Sequence, residues 1–172
     1  PDGLLLKIAL GSSDLNAVKK LEKLAVAMNS SFVSVSSSAV TDMYGNKVMA
    51  LEQSAAYPVD TFMEDGVRPS IINFSLSMDG NASLQLTFSE AVEPKTIDVN
   101  AVTIEGASMR TDGTQFQQLS STKGTTLVNE DDVVLTILLG EWVSNELKKK
   151  LQLATRPADC FISIQDTLIG DM

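Results

Sequence analysis

The sequence predicts a mainly β chain, a β-sandwich repeat with one short helix inserted between strands and about 1.3 copies present. Three observations predict it. First, when the sequence is shifted by 129 positions, residues 1–43 fall on residues 130–172 without a gap, and 14 of these 43 pairs are identical, among them Leu6/Leu135, Ile8/Ile137, Gly11/Gly140 and Phe32/Phe161. Self-similarity at a fixed period marks a repeat array, and this period is the length of an ordinary domain. Second, Ile72, Phe74, Leu76 and Met78 alternate with Ile71, Asn73, Ser75 and Ser77, Asp79-Gly80 turns the chain, and Leu84, Leu86 and Phe88 alternate again. Two such runs around Asp-Gly read as a β-hairpin. Third, strand-like runs recur at intervals of about 8–15 residues with turn signals between them, the spacing of a β-sandwich.

Taken in order, Leu4, Leu6, Ile8 and Leu10 share one face of a predicted strand,. Gly11-Ser-Ser ends it, and Ser13 is expected to cap a helix with Asp14 in its first turn and Leu15, Val18, Leu21 or Glu22, and Ala25 at helical spacing,. The second copy moves that stripe to Val143, Leu147, Leu151 and Ala154, with Trp142 expected to plug the core. Val33 and Val35 alternate with Ser34 and Ser36 as a half-exposed strand, repeated by Ile162 and Ile164,. Thr41-Asp-Met-Tyr-Gly-Asn46 reads as a tight turn in which Asp42 accepts backbone N–H bonds and Gly45-Asn46 takes positive φ,. Residues 48–51 and 57–62 form a closing strand interrupted near Ser54-Ala-Ala. Glu64-Asp-Gly-Val-Arg-Pro69 is a charged junction,. It divides the chain into residues 1–66, the C-terminal part of one repeat, and residues 67–172, the N-terminal and central part of the next. Val102 with Ile104, and Phe116 with Leu119, supply further strands, and Lys123-Gly-Thr-Thr reads as a loop.

Composition narrows the chemistry. With 22 acidic against 13 basic side chains the net charge is −9, which repels phosphate backbones, so nucleic acid is not expected as a partner. The chain contains no His, which removes Ser-His-Asp and Cys-His catalysis and the commonest transition-metal ligand. No run of about 18 apolar residues is present to span a bilayer. The lone Cys160 aligns with Ser31 and has no internal partner. It reads either as a small buried thiol opening a strand or as one half of an intermolecular disulfide. The chain starts at Pro1 with no charged-then-apolar leader, which reads as a piece of a longer polypeptide.

The run Leu86-Thr-Phe-Ser-Glu-Ala-Val92, followed by Thr96-Ile-Asp and Val102-Thr-Ile104, resembles the opening half of the Ig-like domains of bacterial S-layer and other large surface proteins. Val40-Thr-Asp-Met-Tyr-Gly-Asn46 resembles the turn before the last strand of that family. The helix from Asp14 to Ala25 departs from the family and is more like the long tandem repeats of some eukaryotic cell-surface proteins. The resemblance implies an Ig-like sandwich in a secreted, non-catalytic spacer or wall. The expected function is that of a structural module of an extracellular repeat protein, self-associating end to end into a surface filament, fibre or layer such as a flagellar-hair-like appendage. A carbohydrate-binding adhesin module and an accessory Ig-like domain of a secreted enzyme are the alternatives. Because residues 67–172 lack the strand equivalent to 48–62, the same chain or a neighbouring subunit is expected to supply it.

Candidate sites are few. Asn29, Asn73 and Asn81 open glycosylation sequons,. Asp42 with Asn46, and Glu130 with Asp131 and Asp132, offer hard oxygens to Ca²⁺ but lack the alternating spacing of a calcium loop,. Turn stabilisation and a solvated acidic tip account for them more simply, and no cofactor is expected. Glu90 and Glu93 form a conceivable carboxylate pair for glycoside cleavage, yet aromatic content is 5%, too low for a sugar-stacking platform. No enzymatic activity is expected.

Overall fold

A computed structural model describes residues 4–21, 23–128 and 133–169. The chain divides into two units, Pro1–Val67 and Arg68–Met172. Strand pairing is antiparallel in both, sparse in the first and extensive in the second, and each carries one short α-helix.

In the first unit, the run 4–10 joins no sheet, and Leu6 and Ile8 are 68% and 76% exposed. Helix α1 spans Ser12–Lys19. It starts from Gly11, with no side-chain cap, so the expected Ser13 cap is not made. Its sequence has the apolar residues of an amphipathic helix, but none is buried. Lys19 pairs with Asp65. Strands β1 (Phe32–Val33) and β2 (Tyr57–Pro58) pair antiparallel, Phe32 opposite Pro58 and Val33 opposite Tyr57. Bridges from Val35 to Leu51 and from Thr41 to Lys47 continue the ladder toward the turn at Asp42. This turn forms as its residues predict: the Asp42 carboxylate accepts from the Tyr44 and Asn46 amides at 2.9 and 2.8 Å. Gly45 takes φ 84°, whereas Asn46 stays outside the left-handed region. Among the described residues of this unit, no apolar side chain is buried.

The second unit holds the core. The hairpin predicted around Asp79-Gly80 is β3 (Ile71–Ser77) and β4 (Ser83–Phe88), with Gly80 at φ 55°. Strands β5 (Val102–Glu105), β6 (Phe116–Gln118), β7 (Thr126–Leu127) and β8 (Val134–Leu138) follow, then helix α2 (Glu141–Lys149) and β9 (Phe161–Ile164). One sheet is ordered β3-β4-β8-β7 and the other β6-β5-β9. In the first, Leu84 lies opposite Ile137 and Leu86 opposite Leu135. These four, with Val102 and Ile104 of the second sheet, are completely buried in one cluster. Two antiparallel sheets sharing one core are a β-sandwich arrangement, and each leucine so buried contributes about 1.5–3 kcal/mol.

Several positions differ from the sequence expectation. A bulge between Ile71 and Asn73 puts Ile71 against the core and leaves Ile72 exposed,. In α2 the buried residues include Val143 and Leu147, four apart on one face, whereas Leu151 lies beyond the helix end and is 84% exposed,. Trp142 is not a core plug. It is half exposed, with the Lys123 ammonium 5.3 Å from its ring centroid,. The expected loop around Thr125 and Thr126 contains β7. Gly140 is the hinge between β8 and α2: a Cβ there would overlap the Lys123 carbonyl oxygen and sit 2.8 Å from the Gly124 carbonyl carbon. Among the described residues, no helix is long and apolar enough to cross a membrane.

Candidate functional site

The loop that leads into β9 is fixed by one acid. Ala154 takes a left-handed φ of 54° and donates its amide to the Asp159 carbonyl at 2.9 Å. The Asp159 carboxylate then accepts from the Thr155 and Arg156 amides at 2.8 and 2.9 Å and from the Thr155 hydroxyl at 2.5 Å. The Thr155 hydroxyl bond, with those two amides and the Arg156 charge, holds this carboxyl below its usual range against the opposing effect of burial,. The loop ends at Cys160, immediately before β9.

The same device appears in the first unit, each residue 129 positions earlier. Ala25 takes φ 53° and donates to the Ser30 carbonyl at 3.2 Å, and the Ser30 hydroxyl oxygen accepts from the Val26 and Ala27 amides at 3.1 and 2.9 Å. A hydroxyl does for β1 what a carboxylate does for β9. Helix entry matches as well, with Leu15 donating to Gly11 and Ser144 to Gly140 at 2.9 and 3.0 Å.

The two strands differ in what pairs with them. β9 has β5 on one side, Ile162 opposite Ile104. On its other edge no strand pairs among the described residues, whereas β1 has β2. A cleft of about 600 Å³ is walled by Phe74 and Leu76 of β3, by Met78 just past it, and by Arg156, Pro157 and Cys160 of the loop before β9. A smaller cleft of about 290 Å³ continues past Phe74 to Phe161, Ile162, Glu105 and Arg110. Glu105 is buried there, paired with Arg110 and accepting from the Ser163 hydroxyl at 2.8 Å. Burial would push its carboxyl up, but the hydrogen bonds from Arg110 and Ser163 and the Arg110 charge prevail and hold it below its usual value,. The Arg110 guanidinium also stacks 3.8 Å from the Phe116 ring centroid,.

The residues singled out from sequence are scattered. Both oxygens of Asp42 serve its turn, the second accepting from the Asn46 side chain at 2.9 Å. Those Asn46 bonds, side-chain first, lower its pKa. Asp131 and Asp132 lie outside the described residues. Among the described residues no group of three acidic, Cys or His side chains is placed to hold a metal ion. Asn29, Asn73 and Asn81 are all exposed, in a 3-10 turn, in β3 and after the β3–β4 turn respectively. Cys160 is partly buried with no disulfide partner. Burial first, and then the Asp159 charge, raises its thiol pKa, which makes it a poor nucleophile near neutral pH. Glu90 and Glu93 sit in the turn region after β4. The Glu105 pair is not legible in the sequence, because alternation with Val102 and Ile104 reads Glu105 as facing solvent. No protein-family model, curated protein or solved structure matches this chain.

Proposed function

We propose that the chain is part of a tandem-repeat extracellular structural protein, in which Ig-like sandwiches join end to end to build a surface filament or layer. One observation carries this reading: residues 129 apart adopt the same loop, cap and left-handed alanine in both units, down to the hydrogen-bond partners. Burial adds weight. Leu6, Ile8 and Leu10 are 68%, 76% and 58% exposed, while Leu135, Ile137 and Leu139 are 0%, 0% and 6% exposed. The same apolar run is thus a central strand where β4 and β7 flank it and an uncovered segment where they do not. Such a module completes its core only beside the next piece of the array, and length grows by adding units without enlarging any core. The three exposed sequons accord with an extracellular setting,.

Sedimentation velocity and negative-stain electron microscopy of the purified chain test the proposal. It expects oligomers that lengthen with concentration and appear as rods of repeating beads. A monomer at every concentration, or a compact closed dimer, contradicts it.

A further inference from the structure

We infer that the outward face of the sheet containing β3, β4 and β8 is covered by N-linked carbohydrate carried on Asn73 and Asn81. The inference rests on the extracellular part of the reading above and says which face of the module stays out of the subunit contact. Residues two apart in a strand share a face. A sequon set in a strand therefore presents its asparagine and its hydroxyl on one side and turns the residue between them to the other. Asn73-Phe-Ser75 is so arranged: Phe74 packs against the core, while Asn73 and Ser75 are exposed. Asn81-Ala-Ser83 repeats it on the way into β4, where Ala82 is buried in the core and Asn81 is exposed. Ser83 lies opposite Ser77, so both sequons open on the same side of the same sheet.

The register shows what surrounds them. Asn73 is opposite Thr87 and Ser75 is opposite Gln85, and Thr136 of β8 lies beyond Gln85. None of the three strands contains a charged residue, although charged residues make up 20% of the chain. Sugar can therefore lie on this face without desolvating an ion, and its hydroxyls find donors and acceptors in the Ser, Thr and Gln side chains. The third sequon is placed differently. Asn29 is in a 3-10 turn of the first unit, and its Ser31 hydroxyl is buried and donates to the Ala27 carbonyl at 2.7 Å. Attachment is a transfer reaction in a secretory compartment. The asparagine carboxamide nitrogen displaces diphosphate from the anomeric carbon of a lipid-linked oligosaccharide, a carbon–nitrogen bond forms, one N–H proton is lost and the lipid diphosphate leaves.

The full chain, secreted from a eukaryotic cell line, is treated with peptide N-glycosidase in heavy-oxygen water, which converts each occupied asparagine to a labelled aspartate. Label is expected at positions 73 and 81. Asn73→Gln and Asn81→Gln are each expected to lose one step of gel-mobility shift, and Ser75→Ala and Ser83→Ala to do the same. With threonine methyls isotope-labelled, nuclear Overhauser contacts are expected between the first sugar on Asn73 and the Thr87 methyl. Label missing from either position, or sugar that makes no contact with Thr87, overturns the inference. Rods formed by chains that bear both sugars agree with it. Rods that appear only after the sugar is removed make this face the subunit contact, which overturns the inference and leaves the end-to-end reading standing. If no rods form with or without sugar, the end-to-end reading fails, and the label and the Thr87 contact alone decide the inference.

Discussion

Gly11 and Gly140 occupy equivalent places in the two copies, yet only one of them is under steric demand. A Cβ on Gly140 would overlap the Lys123 carbonyl oxygen, whereas on Gly11 its nearest neighbour is an Asp14 carboxylate oxygen at 3.9 Å. Gly140→Ala is therefore expected to cost about 3 kcal/mol in chemical denaturation, and Gly11→Ala to stay within about 0.5 kcal/mol. Ala154 holds a left-handed φ, so Ala154→Val is expected to lose about 1–2 kcal/mol while Ala154→Gly does not. Glu105 sets a pH dependence. Its folded pKa is depressed, so its contribution is complete above the ordinary glutamate range and is lost as pH falls through the folded value. Thermal melting is expected to drop with acidification across that window, and Glu105→Gln to flatten the drop. At this scale the Asp42 turn is legible in the sequence because every bond in it is local. The demands on Gly140 and Glu105 come from residues distant in sequence or from burial that alternation does not reveal.

Among the elements, the clearest contrast is between one strand placed and its copy unplaced. Leu135→Ala is expected to cost about 3 kcal/mol as a core cavity, and Leu6→Ala to change stability by less than about 0.5 kcal/mol, both read from urea unfolding midpoints. Alternation makes the β3–β4 hairpin legible, because β4 buries Leu84, Leu86 and Phe88 and leaves the residues between them more exposed. It over-reads the run 4–10, since an apolar pattern specifies a face but does not supply the neighbouring strand. The two-residue β7 is invisible to it: Thr126-Leu127 has no pattern of its own and pairs with β8 across the gap in sequence. Trp142 lies outside the core because helical phase, which the sequence leaves free by one position, puts Val143 and Leu147 inward instead.

For the molecule as a whole, the internal repeat is the most legible feature, because 129 positions of offset recur in identities and then in backbone geometry. The larger cleft is not legible, since it exists only where β3 and the loop held by Asp159 meet. Residues 4–10 align with residues 133–139, which include β8, and the proposed repeat and end-to-end assembly depend on their being equivalent. Hydrogen exchange on a chain carrying an added copy of residues 68–132 directly ahead of Leu4 tests it most directly. The Leu6 and Ile8 amides, fast in the original chain, are expected to become protected to the level of Leu135 and Ile137. Exchange at Leu6 and Ile8 that stays as fast as in the original chain would contradict the equivalence.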